Sequence, residues 1–216
     1  MKIQILIAGV ALAVASMASQ AATNIVTNGS FEAQQISSAW TSLASISGWT
    51  STDSFEIQRG SNFGGQSNFN TAIDGQQYLE LNGRQLTTVS QNLSTTTGGL
   101  YQLNFLYSGR PDQITSQNSS MDVLWNGTSI GSVSAAGNSG WKTFSFSNLA
   151  AGVGGATLLS FQSTGPTGQP SYGSYLDGVS VSAVPEPGIS AMMVLGLGMI
   201  AFAGSRRNKQ TKFDAA

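Results

Sequence analysis

The chain has 216 residues, no cysteine, no histidine, 9 Lys+Arg against 10 Asp+Glu and a formal net charge of −1. Charged residues make up only 9% of it, against ~25% in a typical soluble protein. That composition excludes disulfides, Ser-His-Asp and Cys-His catalysis, zinc held by His or Cys, and any overall field that would draw nucleic acid.

In chain order, Lys2 precedes the apolar run "IQILIAGVALAVASM" and then "ASQAA", with Ser19 and Ala21 in the small-residue positions of a cleavage site. This is the pattern of a secretory signal peptide over residues 1–21, cut after Ala21. The body, 22–183, has the size of one domain. It carries four basic residues (Arg59, Arg84, Arg110, Lys142) and eight acidic ones (Glu32, Asp53, Glu56, Asp74, Glu80, Asp112, Asp122, Asp177), a net charge of −4. Its surface must therefore be built from Ser, Thr, Asn, Gln and Gly, groups that hydrogen-bond without charge.

Short strands are expected at "FEIQ" (55–58), "QYLEL" (77–81), "LTTVSQNL" (86–93), "LYQLNFLYS" (100–108), "MDVLWN" (121–126), "TSIGSVS" (128–134), "KTFSFSNL" (142–149), "TLLSFQS" (157–163) and "YLDGVSVS" (175–182). Several alternate with period two: Tyr101, Leu103, Phe105 and Tyr107 share one face, as do Met121, Val123 and Trp125. Asn126-Gly127 is the strongest hairpin turn, because both residues tolerate positive φ. The Gly/Asn/Gln-rich stretch from Gly60 to Thr71 reads as a long surface loop. Many short strands at regular spacing predict an all-β fold, an antiparallel β-sandwich of jelly-roll type.

After the body comes "VPEPG", then Ile189–Gly204 with no charge and only Ser190 strongly polar, then Arg206, Arg207, Lys209 and Lys212. As a helix, that run spans about 24 Å, slightly less than a hydrocarbon core of ~30 Å. The cations at its end hold it in the cytoplasm and leave everything before Pro185 outside. A transmembrane helix is thus expected over 189–204, behind an extended proline neck. Gly196, Gly198 and Ala201 fit G-x-G-x-x-A, but no acidic residue follows at the distance a dinucleotide fold needs, so the pattern is not a nucleotide site.

Val184, Pro185, Glu186 and Pro187, one marginal apolar helix and the Arg206-Arg207 stub resemble the PEP-CTERM sorting signal of Gram-negative bacteria, here over 184–212. That resemblance implies export through the inner membrane, transient anchoring there, and an exosortase as partner that releases the protein toward the cell surface or exopolysaccharide matrix. It supplies an address and no activity. A second resemblance covers the body. "NIVTNGSFE" and "SYLDGVSVS" look like the first and last strands of the galactose-binding-like jelly roll found in many carbohydrate-binding modules, and "DGQQYLEL" and "SMDVLWNGTSIGSVS" like strands between them.

This second likeness implies that the first and last strands lie together, where such modules often hold a structural calcium with a carboxylate from each end. Here those would be Glu32 and Asp177, completed by carbonyls or water. Two separate, solvent-facing charges are the alternative. For a ligand, aromatics outside the alternating strands stand beside amides. Trp40, Trp49, Phe63, Phe69, Tyr172 and Tyr175 are those rings, with capping of the core as their alternative role, Trp49 and Tyr175 above all; Arg59, Asn62, Gln66 and Asn68 are the polar groups near them. A ring can stack on the apolar face of a pyranose while amides take its hydroxyls. Catalysis would have to rest on carboxylates, with Asp53 and Glu56 or Asp74 and Glu80 as the pair; solvated turn charges are the plainer reading. The expectation is an exported protein, not an enzyme, that binds extracellular polysaccharide and no nucleic acid. A structural matrix or adhesion protein without a ligand site is the rival, and a glycoside-active enzyme the third reading.

Overall fold

The computed structural model describes residues 23–60, 71–111, 119–137, 139–169, 171–185 and 196–199. Among these, the chain forms β1 (Trp40–Ile46), β2 (Trp49–Gln58), β3 (Tyr78–Glu80), β4 (Thr88–Ser94), β5 (Leu100–Ser108), β6 (Ser119–Trp125), β7 (Thr128–Ala135), β8 (Lys142–Ala150), β9 (Ala156–Gly165) and β10 (Tyr175–Ala183). Every pairing is antiparallel, in the order β7-β6-β9-β4-β2-β3-β10-β5-β8, with β1 on the remaining edge of β2.

One strand ties the layers together. The start of β2 pairs with β4 (Thr50↔Ser90, Ser51↔Val89) and its end with β3 (Glu56↔Glu80, Gln58↔Tyr78), so it passes from one layer to the other. The layers close face to face through aromatic contacts. Phe105 of β5 meets Phe161 of β9 edge-on at 5.2 Å, Trp49 of β2 lies 6.1 Å from Phe161, and Tyr101 of β5 lies 6.4 Å from Trp125 of β6. The period-two faces read from the sequence are the faces that are buried: Tyr101, Leu103, Phe105 and Tyr107 on β5, and Met121, Val123 and Trp125 on β6. The fold is an antiparallel β-sandwich of jelly-roll type.

Asn126 (φ 53°) and Gly127 (φ 77°) make the β6–β7 turn, both in the left-handed region as a type I′ hairpin requires. The segment before β1 makes no strand of its own, yet it runs beside β10. Ile25 donates to the Val181 carbonyl (2.8 Å), Asn24 Oδ1 accepts from Val181 N (3.0 Å), and Val179 N donates to the Gly29 carbonyl (2.9 Å). Gly29 cannot be replaced, since a Cβ there would stand 1.9 Å from the Val179 carbonyl oxygen.

Two elements differ from expectation. β1 was not anticipated, because "WTSLASI" has no clean alternation: an edge strand held by main-chain bonds to β2 needs little apolar pattern. β2 begins at Trp49, six residues before "FEIQ", because its first half is stitched to both β1 and β4. The signal peptide lies outside the described residues, as does most of the expected span 189–204, of which Gly196–Met199 is described and helical. Among the described residues no helix is long and apolar enough to cross a membrane.

Candidate functional site

Side chains alternate across a strand, so the positions between the core residues face outward. Phe55, Ile57, Leu79, Leu81 and Leu176 belong to the core. Glu56 and Gln58 on β2, Tyr78 and Glu80 on β3, and Tyr175 and Asp177 on β10 therefore share the opposite face. Register aligns them in two rows. Glu56, Glu80 and Tyr175 are cross-strand neighbours in one; Trp40, Gln58 and Tyr78 are neighbours in the other. An outward row this polar would ordinarily be wet. Here Glu80, Gln58, Tyr78, Tyr175 and Asp177 are all buried, because the segments around Ala72–Gln77, Arg110 and Ser171–Ser174 fold over them. A small aromatic cluster anchors that cover: Tyr78 lies 4.7 Å from Tyr175 and 5.4 Å from Trp141, whose Nε1 donates to the Thr71 carbonyl.

Glu80 has no exposure to solvent. Its Oε1 accepts from Arg110 Nη1 (2.9 Å) and from the Gly173 amide (2.8 Å), and its Oε2 from Gln58 Nε2 (2.8 Å). The same Gln58 nitrogen donates to Glu56 Oε2 at 2.8 Å. One amide thus bridges two carboxylates that face each other across adjacent strands, while its own Oε1, also buried, has no hydrogen-bond partner among the described residues. Burial pushes Glu80 up to about 8; Arg110 pulls the other way and Glu56 adds to the rise. Burial also pushes Glu56 up to about 7, against the pull of Arg110 and the Gln58 bond. Removing a carboxylate from water disfavours its charged form, and a like charge opposite disfavours it further.

Beside this network opens a cleft of ≈ 200 Å³ lined by Trp40, Glu56, Gln58, Arg110, Ser171 and Tyr172. Trp40 is 50% exposed, an unusual state for so large a ring. The Arg110 guanidinium sits 4.3 Å above the Tyr172 ring, a cation–π contact that holds both side chains in place. The cleft offers an open aromatic ring and a carboxylate, with the buried Gln58 amide in its wall. Glycoside cleavage needs two carboxyl groups that both reach the sugar. Glu56 lines the cleft, but Glu80 lies beneath it with both oxygens engaged, so the arrangement suits holding a ligand better than cutting one.

Of the residues singled out from the sequence, Tyr172 lines the cleft, and so does Trp40 from the wider set of rings. Trp49 and Tyr175 are buried, as expected of core-capping rings. Arg59 points elsewhere, to the Ile36 carbonyl and Gln76 Oε1 (both 3.4 Å). Asn62, Phe63, Gln66, Asn68 and Phe69 lie outside the described residues. Glu56, Gln58, Glu80 and Arg110 were not expected as a group. Reading Glu80 as a solvated strand-end charge is corrected: it is fully enclosed. The acid facing Glu56 is Glu80, whereas Asp53 bonds the Ser54 amide (2.6 Å) and Gln85 Nε2 (2.5 Å). The available signal was the outward parity of Glu56 and Gln58 in "FEIQ" and of Glu80 in "YLEL". It pointed to one face and could not reveal that the face is covered.

Glu32 and Asp177 do close on a common element, the 73–77 loop. Glu32 Oε1 accepts from the Gln76 and Gln77 amides (2.6 Å each) and its Oε2 from Gln35 Nε2 (2.7 Å). Asp177 Oδ2 accepts from the Ile73 (3.2 Å) and Asp74 (3.0 Å) amides, and Oδ1 from the Gly178 amide (2.8 Å). Burial pushes Asp177 up to about 7, opposed by those amide bonds. Asp177 is buried and Glu32 half-buried, so neither is a plain solvent-facing charge. Calcium asks for six to eight oxygen ligands. The groups bonded to these carboxylates are N–H donors, and among the described residues no three acidic side chains gather, so carbonyls or water would have to supply the rest of a calcium shell. The surroundings fit a loop clamp better than a calcium shell.

The domain ends where Val184 N donates to the Leu100 carbonyl (2.8 Å). Of the sorting motif, Val184 and Pro185 are described; Glu186, Pro187, Arg206 and Arg207 lie outside the described residues. Comparison with known proteins gives two family matches. The model for "Protein of unknown function (DUF642)" matches residues 24–182, and that for the PEP-CTERM protein-sorting motif matches residues 183–207. No curated protein matches the chain. Among solved structures, a cyclase from Fischerella sp. TAU in complex with 4-(1H-indol-3-yl)butan-2-one superposes with a TM-score of 0.56 at 16% identity, covering 77% of this chain and 100% of that one. The Stig cyclase FisC from the same organism gives 0.55 at 16% identity, over 76% and 98%. The TmCBM61 module in complex with beta-1,4-galactotriose gives 0.48 at 16% identity, over 76% and 100%. At such identity, likeness speaks for the fold alone.

Proposed function

This chain belongs to the DUF642 family, and we propose that its domain is a non-catalytic carbohydrate-binding module of the cell surface or exopolysaccharide matrix, with the Trp40–Tyr172 cleft as its ligand site. The PEP-CTERM motif marks it as exported and held in the membrane before exosortase processing. Delivery onward to the surface of a Gram-negative cell and to its polysaccharide is the remainder of the proposal.

One observation carries the reading: a tryptophan ring left half open to solvent stands beside a carboxylate and a buried amide oxygen that still lacks a donor. A pyranose suits all three, because its C–H face stacks on an aromatic ring and its hydroxyls donate to oxygens. Sparse surface charge agrees with a partner recognised by uncharged hydrogen bonds.

The test is retention of full-length, detergent-solubilised protein on immobilised exopolysaccharide and on a glycan array. W40A should weaken retention by about tenfold or more, as loss of a central aromatic contact does. It should leave the melting temperature nearly unchanged, since the ring is half exposed on an edge strand. Retention by W40A equal to wild type would remove the cleft from the reading. If no glycan retains the wild-type protein, the structural matrix or adhesion role takes its place.

A further inference from the structure

Resting on the carbohydrate reading, we propose that the cleft selects a sugar bearing a protonated amino group, a de-acylated amino sugar, over neutral or acidic sugars. Charge is the first reason. Glu80 is paired with Arg110 at 2.9 Å, and Glu56 directly opposite makes no ion pair among the described residues. Glu56 is therefore the acidic side chain among the residues that line the cleft, and Arg110, the cation among them, is held to Glu80. An acidic sugar would meet that carboxylate, while Arg110 Nη1 is already bonded to Glu80 and to the Ser171 carbonyl (3.2 Å).

Hydrogen-bond inventory is the second. Gln58 is 1% exposed and turns its amide nitrogen toward both carboxylates, leaving Oε1 without a donor. Of the β2 residues that line the cleft, Glu56 offers a carboxylate and Gln58 carries a buried carbonyl that lacks a donor. A hydroxyl answers such a wall with one proton and brings lone pairs of its own. An ammonium brings three donors and no acceptor.

Aromatic placement is the third. Trp40 is the cross-strand neighbour of Gln58, so the open indole lies next to the acceptor pair. An aromatic face attracts a cation and also packs against the C–H face of the ring that carries it. The Tyr172 ring already shows the preference, with a guanidinium 4.3 Å from its centre. Burial of Glu56 agrees with this. Its carboxyl is pushed up to about 7, and a bound ammonium would hold it ionised.

Calorimetric titration of the full-length protein in nonionic detergent, near neutral pH and at low salt, decides the matter. The probes are a tetramer of β-1,4-linked glucosamine, its fully N-acetylated counterpart and β-1,4-galactotriose. A charge-assisted contact predicts that the free amine binds about tenfold or more tightly than the N-acetylated form. The preference should vanish in E56Q and shrink in high salt. Equal affinity for the amine and acetylated tetramers overturns the amino-sugar class and leaves carbohydrate binding standing. No binding of any probe or of the producer's own polysaccharide fails both readings. A preference that survives E56Q places the selecting charge elsewhere and overturns the assignment. Should E56Q not fold, salt alone decides: a wild-type preference unchanged between low and high salt is fatal to the proposal.

Discussion

Two pairs of carboxylates in this domain were drawn from the same kind of sequence, and they end in opposite states. Glu32 and Asp177 both accept from main-chain amides of one loop, Gln76 and Gln77 for Glu32 and Ile73 and Asp74 for Asp177. Glu56 and Glu80 share one side-chain amide, Glu80 alone holds a guanidinium, and the amide's own oxygen is buried without a donor beside a cleft. The first pair is an internal fastening whose needs are met. The second has acceptors to spare, and a site that spends burial energy on unmet acceptors is one where a ligand can complete the network. The difference lies in what folds over them: backbone N–H groups in one case, a lined opening in the other.

That contrast can be broken in several places. The largest effect should come from Arg110. R110M keeps much of the bulk and removes the charge over Tyr172; above about pH 8, where Glu80 is ionised in the folded protein, that carboxylate is left buried without its cation, and breaking a buried pair from one side costs about 3–5 kcal/mol. Urea unfolding measures it, and a loss below about 1 kcal/mol would mean that Glu80 is neutral in the folded protein. In that event the two pairs differ less than their geometry suggests.

Next comes the clamp. D177A strands the amides of Ile73, Asp74 and Gly178, worth about 1–3 kcal/mol in total stability. It should also speed hydrogen exchange at Ile73 and Asp74 while sparing the Glu56–Glu80 network. E32A should cost less, because Glu32 is half-buried and water can replace it at Gln76 and Gln77. Equal protection of the 73–77 amides in wild type and D177A would refute the clamp.

The pH dependence separates the pairs more finely. Glu56, Glu80 and Asp177 have folded-state values of about 7, 8 and 7, all raised by burial above their ordinary values. Between those limits the folded chain binds more protons than the unfolded one. Stability is thus highest in mild acid and falls as pH rises toward 8, for Glu80 alone at up to about 1.4 kcal/mol per pH unit. E80Q should flatten the upper part of that decline, and D177N the part below about 7. Unfolding free energies that rose over the same range would contradict the burial of these acids.

Calcium gives the smallest expected change. With N–H donors around Glu32 and Asp177, melting temperature should be the same in EDTA and in added calcium. A rise with calcium would show that the two carboxylates can turn from the loop to a cation, and the first pair would then be a metal site after all.

Much of the architecture was legible because it rests on local chemistry. The strand at Leu100–Ser108 coincides with its reading to the residue, because its alternation buries Tyr101, Leu103, Phe105 and Tyr107. The β6–β7 hairpin follows from Asn126 and Gly127, which accept the dihedrals it needs. Composition alone removed thiol and imidazole chemistry, and the sorting motif was legible in Val184-Pro185-Glu186-Pro187 and the cations that follow. Period, turn and composition act over a few residues, and so they can be read along a line.

The site could not be read in that way. Glu56 and Glu80 become neighbours through register between strands 24 residues apart in the chain, and Arg110, Ser171 and Tyr172 arrive from two further loops. Nothing local to Glu80 distinguishes a carboxylate under a lid from one in water. Only the packing of Arg110 and Gly173 over β3 removed that water, raised its proton affinity and left Trp40 open at the rim. Burial is a property of what comes from elsewhere in the chain, so tertiary structure alone decided which of the eight acids of the domain became part of a site.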